Sequence, residues 1–267
     1  MSKAKIEIIY SDDSIIVVNK PAGVSVTRDR TGATQLIDIL TSQLGSKTGG
    51  GLRLVHRLDK GTSGVMVLAK TLEAQRIFSG YFENRLVKKT YLAIVNGVLG
   101  DKRGRINVPL AHDRKNTERV RIAQKKGKEA VTDWKLLADF GSVALLAVSP
   151  LTGRTHQIRV HLTSIGLPLA IDPLYGSGQP LFLSDFKSRY QLGRGKSEKP
   201  LIGRLTLHAY QIEFLDTTQP LPGCFVAGLD KKFAATVKML TRHNPQGLDA
   251  FLHPDIFSKI INAEKLD

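Results

Sequence analysis

Residues 54–70 read LVHRLDKGTSGVMVLAK, and this stretch organises the reading of the whole chain. Leu52, Leu54 and Leu58 make the approach apolar, Lys60-Gly61-Thr62-Ser63-Gly64 has turn chemistry, and Val65 to Ala69 is an apolar run of buried-strand length. The pattern puts Asp59 at the rim of a sheet, close to His56, Arg57 and Lys60. Nearby positive charge favours the ionised form of an acid, so Asp59 is expected to be charged and anchored. Taken alone, such an acid is more often an ion-paired surface residue than a functional one.

Two other motifs overlap this stretch and fail on chemistry. Gly64 to Thr71 misses a phosphate loop because Ala69 stands where the second glycine belongs, and Val-Met-Val-Leu prefers an extended strand whose N–H groups go to a ladder. Ser63 with His56 and Asp59 suggests a hydrolase triad. The Gly-x-Ser-x-Gly elbow is missing, and triad members are normally assembled by folding rather than by adjacency.

Working outward, 267 residues with 42% hydrophobic content can bury a sizeable core. Cys224 is the one cysteine, which rules out an intrachain disulfide or a thiolate-rich metal site and fits a reducing compartment. The first residues carry no apolar signal region, and runs such as Val143 to Val148 are too short to span a bilayer. The expectation is a soluble cytoplasmic protein, and a monomer.

The formal charge is +15, and its distribution matters more than its size. Between Lys102 and Lys128 stand ten basic residues, among them Arg114, Lys115, Arg119 and Arg121, against Asp113 and Glu118, a local +8. A phosphate backbone is the partner such a patch most often meets, through steering and counterion release. A solvated basic face is the plainer alternative.

Hydrophobic periodicity sets out the remaining elements. Ile6–Ile9 and Ile15–Val18 read as a hairpin around Ser-Asp-Asp-Ser, broken by Asn19-Lys20-Pro21-Ala22-Gly23. Thr34 is the expected cap of a helix on Leu36, Ile37 and Leu40, and Ser46–Gly51 is a flexible lead-in. A helix is predicted over Leu72–Phe82 with Ile77 and Tyr81 as its apolar pair. In the strand Lys88–Val95, alternation puts Tyr91, Ala93 and Val95 on one face, which leaves Tyr91 either a half-buried core aromatic or a ring lining a pocket. Ala130–Leu137 and Val143–Val148 form a second hairpin.

Thr155 is the expected N-cap of a helix with Ile158, Leu162 and Ile165 buried and Gly166 as its stop. Arg154 then lies just outside that helix start, as an anion site or as an ordinary ion-pairing arginine. The five-residue spacing of His156 and His161 is wrong for one helix face, so no metal site is expected. Asp172 and Tyr175 fall in a loop, Ser177–Gly203 is a polar insertion containing Gly193–Ser197, and Leu205–Ala209 and Ile212–Leu215 return to strand. A last helix on Phe233, Val237 and Leu240 precedes a loosely specified tail.

Several of these segments together resemble the RluA family of pseudouridine synthases. They are Val18-Asn-Lys-Pro-Ala-Gly23, His56-Arg-Leu-Asp-Lys-Gly-Thr-Ser-Gly64, Lys89-Thr-Tyr91 with Gly97, and Thr152-Gly-Arg-Thr-His-Gln-Ile-Arg-Val-His161. Gly166-Leu-Pro, Asp172, Tyr175-Gly176 and Leu207-His-Ala209 complete the set, in the family's order, over about Ile6 to Leu215. The resemblance implies an α+β fold with a mixed, largely antiparallel central sheet and flanking helices, as one catalytic domain spanning 1–267, with a C-terminal helix and tail over 221–267. It implies Asp59 as the catalytic aspartate, Tyr91 as the pocket aromatic, and Arg154 as the ion-pair partner of Asp59. Arg57 is implied as the side chain that displaces the target base. His56, Lys60 and the Arg114, Lys115, Arg119 and Arg121 patch are the expected RNA contacts. Only 18 residues precede Asn19, too few for the S4-type RNA-binding domain of many members.

Isomerising uridine neither adds nor removes an atom, so neither cofactor nor metal is expected. A carboxylate can trap or stabilise the oxocarbenium-like ribose formed when C1′–N1 breaks. Hydrolysis would need a second carboxylate to direct water, whereas isomerisation must exclude water. The expected activity is therefore an RNA uridine isomerase acting on ribosomal or transfer RNA. The alternative is a non-catalytic RNA-binding or ribosome-assembly factor on the same fold.

Overall fold

Val65 to Ala69 becomes the centre of a strand buried on both faces, and the elements around it follow from that burial. The computed structural model describes residues 5–27, 34–45, 49–97, 100–123, 125–187, 190–191, 195–215 and 222–267. In chain order the first elements are β1 (Glu7–Ser11), β2 (Ile15–Lys20), α1 (Leu36–Leu44), β3 (Arg53–Leu54), β4 (Ser63–Ala69), α2 (Leu72–Glu83) and β5 (Val87–Asn96). Then come β6 (Arg103–Asn107), β7 (Leu110–His112), β8 (Val120–Ile122), β9 (Val131–Asp139), β10 (Val143–Pro150) and α3 (Gln157–Ser164). The chain closes with β11 (Leu207–Phe214), β12 (Cys224–Val226), α4 (Lys231–His243) and α5 (Ile256–Ile261).

These elements form two compact units, one of Met1–Thr90 with His208–Gly228 and Asp267, the other of Tyr91–Leu207 with Leu229–Leu266. In the first unit, β1 and β2 form the expected hairpin. β2 runs antiparallel to β4, with Val17 opposite Val67 and Lys20 opposite Gly64. β11 lies parallel to the start of β4, pairing His208 with Ser63, so the sheet is mixed as expected. Gly64 has φ +116°, and a Cβ there would overlap the Ala209 carbonyl, so this close parallel contact requires glycine.

Two helices of this unit differ in detail from expectation. α1 is capped by Gln35 rather than Thr34, because the Asp38 carboxylate accepts the Gln35 N–H at 3.0 Å and fixes the start one residue later. α2 is capped by Thr71, whose Oγ1 accepts the Ala74 N–H, and it buries Ala74 and Phe78 while Ile77 and Tyr81 are only half-buried. The apolar stripe is turned because Phe78 packs edge-on to Phe214, 5.7 Å between centroids. The expected lead-in at Ser46–Gly51 and the Gly193–Ser197 segment fall partly outside the described residues.

In the second unit, β5, β10, β9 and β6 follow one another as antiparallel neighbours, with Tyr91 opposite Val148. Tyr91 packs on a core that includes Ala93, Val95, Leu146, Val148, Ile158 and Leu162. β7 and β8 make a separate two-stranded ladder over a small core of Leu110, Val120, Ala130 and Val160. The two expected strands around Leu207 and Ile212 are one continuous strand, since Ala209 and Tyr210 between them are buried too.

The helix after Arg154 begins at Gln157, and Thr155 is not its cap. His156 holds that place in the left-handed region, φ 53°, where its ring reaches Tyr175. Ile158 and Leu162 are buried, but Ile165 lies past the helix end and is 40% exposed. The C-terminal tail is more ordered than its composition suggested. Ile256 and Ile260, one helical turn apart, bury the α5 face, and Phe251 packs edge-on to Phe140. No helix among the described residues is long and apolar enough to cross a membrane.

Candidate active site

Asp59 sits in the turn that feeds β4, and the first unit fixes this turn from its backbone. The Asp59 carbonyl accepts the Thr62 N–H at 3.1 Å, and the Lys60 carbonyl accepts the Gly23 N–H at 2.8 Å. Lys20 is fully buried, yet its ammonium is satisfied by the carbonyls of Pro21, Val24 and Lys60, at 3.0, 2.9 and 3.3 Å. A buried ammonium is tolerated only when its donors are met, and meeting them here ties the Asn-Lys-Pro segment to the Asp59 turn. Sequence reasoning passed over Lys20. The signal was a lysine ending a strand that is otherwise apolar.

Beyond the turn, the Ser63 hydroxyl lies 2.9 Å from His208 Nδ1, and His208 Nε2 lies 3.1 Å from the Ala227 carbonyl. A carbonyl can only accept, so Nε2 carries the proton and Nδ1 accepts from Ser63. Ser63 is 1% exposed and His208 0%, which removes Ser63 as a hydrolytic nucleophile. Its hydroxyl joins β4 to β11 instead.

His56 is placed by the same logic. Its Nε2 accepts the Val67 N–H at 3.0 Å, and its ring stacks on Phe82 with centroids 4.2 Å apart. Burial, aided by the Lys89 charge, pushes its pKa down to about 3, so the ring is neutral and serves as an acceptor. This half-buried side chain ties the loop to Val67 and Phe82. Arg57 and Lys60 are exposed and Asp59 is half-buried, so the loop presents one carboxylate between two outward-facing cations.

In the second unit, Arg154 follows β10 and is exposed. Its Nε donates to the Glu129 carbonyl at 3.0 Å, and its N–H donates to Gln157 Oε1 at 2.9 Å. Gln157 is itself buried and bonded to Thr152, Thr132 and the Val131 carbonyl, so the first turn of α3 is pinned to β9 and aims Arg154. His161 is held by Thr132 and the Val108 carbonyl, which makes it structural. Among the described residues no cluster of His, Cys, Asp or Glu suits a metal ion.

Two residues of the basic patch, Arg119 and Arg121, lie beside Tyr175. Asp172 and Arg159 form a buried two-bond ion pair at 2.7 and 2.8 Å, and Asp172 also accepts the N–H groups of Leu174 and Tyr175. Those bonds outweigh burial and hold the Asp172 carboxyl below the usual carboxylate range. Tyr175 Oη in turn receives the Val120 N–H at 2.7 Å and meets His156 Nδ1 at 2.9 Å. The Arg119 guanidinium lies over the Tyr175 ring, 5.3 Å from its centroid. Arg119, Arg121 and Tyr175 line a cavity of about 300 Å³, with Arg114 and Lys115 exposed at the hairpin tip.

Comparisons with known proteins converge. A family model described as RNA pseudouridylate synthase matches residues 14–164. An uncharacterised RNA pseudouridine synthase of Bacillus subtilis, YhcT, is 39% identical over 182 residues, covering 66% of this chain and 60% of that protein. Ribosomal large subunit pseudouridine synthase D of Neisseria meningitidis serogroup B is 39% identical over 216 residues, 78% of this chain and 54% of that one. The chain thus spans little more than half the length of these two relatives. An uncharacterised RNA pseudouridine synthase of Zymomonas mobilis is matched over 94% of its length, at 37% identity across 82% of this chain. Among solved structures, human RNA pseudouridylate synthase domain containing 4 aligns with TM-score 0.65 and 27% identity, covering 88% of this chain and 92% of that one.

Proposed function

The chain belongs to the RNA pseudouridylate synthase family, and from that premise we propose that it isomerises uridine to pseudouridine in structured RNA. The observation that carries the reading is the family match over residues 14–164, which takes in Asp59, Tyr91 and Arg154 together with the clamped Asp59 turn. Names among the relatives favour ribosomal RNA as the substrate, with transfer RNA as the other candidate. A cytoplasmic location fits the single cysteine, and a monomer is the expected state.

The C1′–N1 bond breaks as electrons pass to the uracil, and the Asp59 carboxylate meets the electron-poor ribose, by attack at C1′ or by taking the C2′ proton. The uracil turns, C5 joins C1′, Asp59 leaves C1′ or, on the other route, returns the proton to C2′, and the C5 proton leaves to solvent while N1 gains one. Atoms balance without any added group. In this reading Tyr91 lines the base pocket and Arg154 is the ion-pair partner of Asp59. Arg57 fills the stack that the extruded nucleotide vacates. Lys60 and the hairpin residues Arg114, Lys115, Arg119 and Arg121 hold phosphates.

The test is RNA transcribed with tritium at uracil C5. Wild-type chain is expected to release tritium to water, and Asp59→Asn to release none while retaining RNA binding. Release at the wild-type rate by Asp59→Asn removes Asp59 from the chemistry. RNA binding without release from ribosomal or transfer RNA by the wild type favours a non-catalytic factor.

A further inference from the structure

Among the described residues of the first unit, Lys20 is fully buried and Lys89 half-buried, and their ammonium groups are treated differently. Lys20 is enclosed and every donor finds a carbonyl. Lys89, half-buried on β5, makes neither a hydrogen bond nor an ion pair among the described residues. Its strand neighbour Lys88 faces the other way and pairs with Glu213 at 3.7 Å. Among the described residues no fully enclosed polar side-chain atom lacks a partner, so the Lys89 nitrogen still reaches solvent.

We propose that Lys89 is a phosphate-binding residue, its ammonium receiving a phosphodiester oxygen of the RNA strand that bears the target uridine. The RNA identity of the ligand rests on the isomerase reading above.

The argument is one of uncompensated charge. The groups acting on Lys89 are His56, from the segment leading into Asp59, and Arg85, from the turn after α2. His56 is neutral and already committed to Val67, and Arg85 carries the same sign as Lys89. Neither supplies a counter-charge, and an ammonium partly withdrawn from water is held more favourably when an anion completes it. A phosphodiester supplies one negative charge and strong acceptor oxygens, and phosphate contacts are what set the register of a strand on a protein. Lys89 is within electrostatic reach of His56, one residue before Arg57 and three before Asp59. A phosphate held there would set the strand against the residues assigned to base displacement and to chemistry.

Burial and the Arg85 charge hold the Lys89 pKa down to about 8. A bound phosphate favours the charged form, so the Lys89 contribution to affinity is present below about pH 8 and fades above it. His56 stays neutral across that window, so it does not titrate there.

Dodecauridylate binding to the full chain, followed by fluorescence anisotropy at pH 6.8 and 8.8 over a salt series, tests this. Lys89→Met is expected to weaken binding roughly tenfold at pH 6.8, and to flatten the log K against log salt slope by about 0.7, the value for one phosphate on a single strand. Lys89→Arg is expected to bind as the wild type does at pH 6.8 and to keep its affinity at pH 8.8, where the wild type weakens severalfold. Both chains meet the same uracil titration, so their difference isolates position 89. An unchanged slope in Lys89→Met overturns the proposal. So does an equal fall with pH in wild type and Lys89→Arg, which decides the matter even if Lys89→Met fails to fold. Tritium release reports separately: a Lys89-dependent slope without release leaves the phosphate contact standing and removes the isomerase.

Discussion

The turn that carries Asp59 and the β7–β8 hairpin are both short, polar and rich in cations, yet their backbones are held by different means. Around Asp59 the bonds come from far along the chain: Gly23 and Lys20 reach Lys60, His56 reaches Val67, and Ser63 reaches His208. At the hairpin tip they are local. Lys115 N–H goes to Asp113 Oδ1, Glu118 N–H to Asn116 Oδ1, and Arg119 N–H to the Asn116 carbonyl. Turns closed by their own Asn and Asp side chains need little from the surrounding fold. The contrast suits a division in which bond-making chemistry demands a fixed carboxylate, whereas phosphate contacts tolerate adjustment.

The largest effect that can break this comparison lies at Gly64. Its φ of +116° and the overlap that any Cβ makes with the Ala209 carbonyl combine backbone strain with a clash against an immovable neighbour. Gly64→Ala is expected to cost about 3–5 kcal/mol, read as a shift in urea midpoint. Gly141, also left-handed at +89° but with nothing near its Cβ position, is the control, and Gly141→Ala is expected to cost about 1 kcal/mol. Equal effects at the two positions would mean that the β4–β11 approach does not constrain the Asp59 turn.

A smaller effect, with a pH signature, comes from His56. Its folded pKa of about 3 lies below the ordinary value of 6.5, so the unfolded chain binds the extra proton first. The stability this neutral ring contributes is therefore complete above about pH 6.5 and is lost as pH falls toward 3, at about 1.4 kcal/mol per pH unit. His56→Phe keeps a ring against Phe82 but strands the Val67 N–H. It is expected to cost about 1–3 kcal/mol at pH 7.5 and to flatten the acid limb of the unfolding profile between pH 6.5 and 5. An acid limb identical to the wild type's would place the proton elsewhere, with His161, whose pKa burial also lowers, the first alternative.

These effects also mark what a sequence reader can and cannot reach. The β4 strand, the hairpins and the helix over residues 72–83 were legible because burial writes period-two and period-3.6 patterns directly into residue order. Helix starts were legible only to within a residue or two. Gln35 and His156 take the capping positions because of partners, Asp38 and Tyr175, whose geometry no propensity encodes. The Lys20 clamp, the Ser63–His208 bridge and the Arg159–Asp172 pair were invisible for a stronger reason. Each joins residues whose proximity is a product of the fold. His56 shows the same gap at a site residue, since its ties to Val67 and Phe82 are products of the fold.

The mildest change to stability is expected at the hairpin, where the comparison is sharpened rather than broken. Arg114 and Lys115 are exposed, Arg121 bonds only to a neighbouring carbonyl, and Arg119 rests on Tyr175, so most of their charge is uncommitted within the described structure. Replacing Arg114, Lys115 and Arg121 with Gln is expected to move folding stability by no more than about 0.5 kcal/mol. Affinity for a structured RNA should nevertheless fall. If each residue neutralises one phosphate, the salt slope should drop by about 0.9 for each residue contacting a duplex region. Adding Arg119→Gln should also remove its contact with the Tyr175 ring, about 0.5–1 kcal/mol, and so separate the one hairpin cation that packs from the three that do not. A triple variant that unfolds early would show that these side chains hold the hairpin together, and an unchanged salt slope would show that RNA does not meet them.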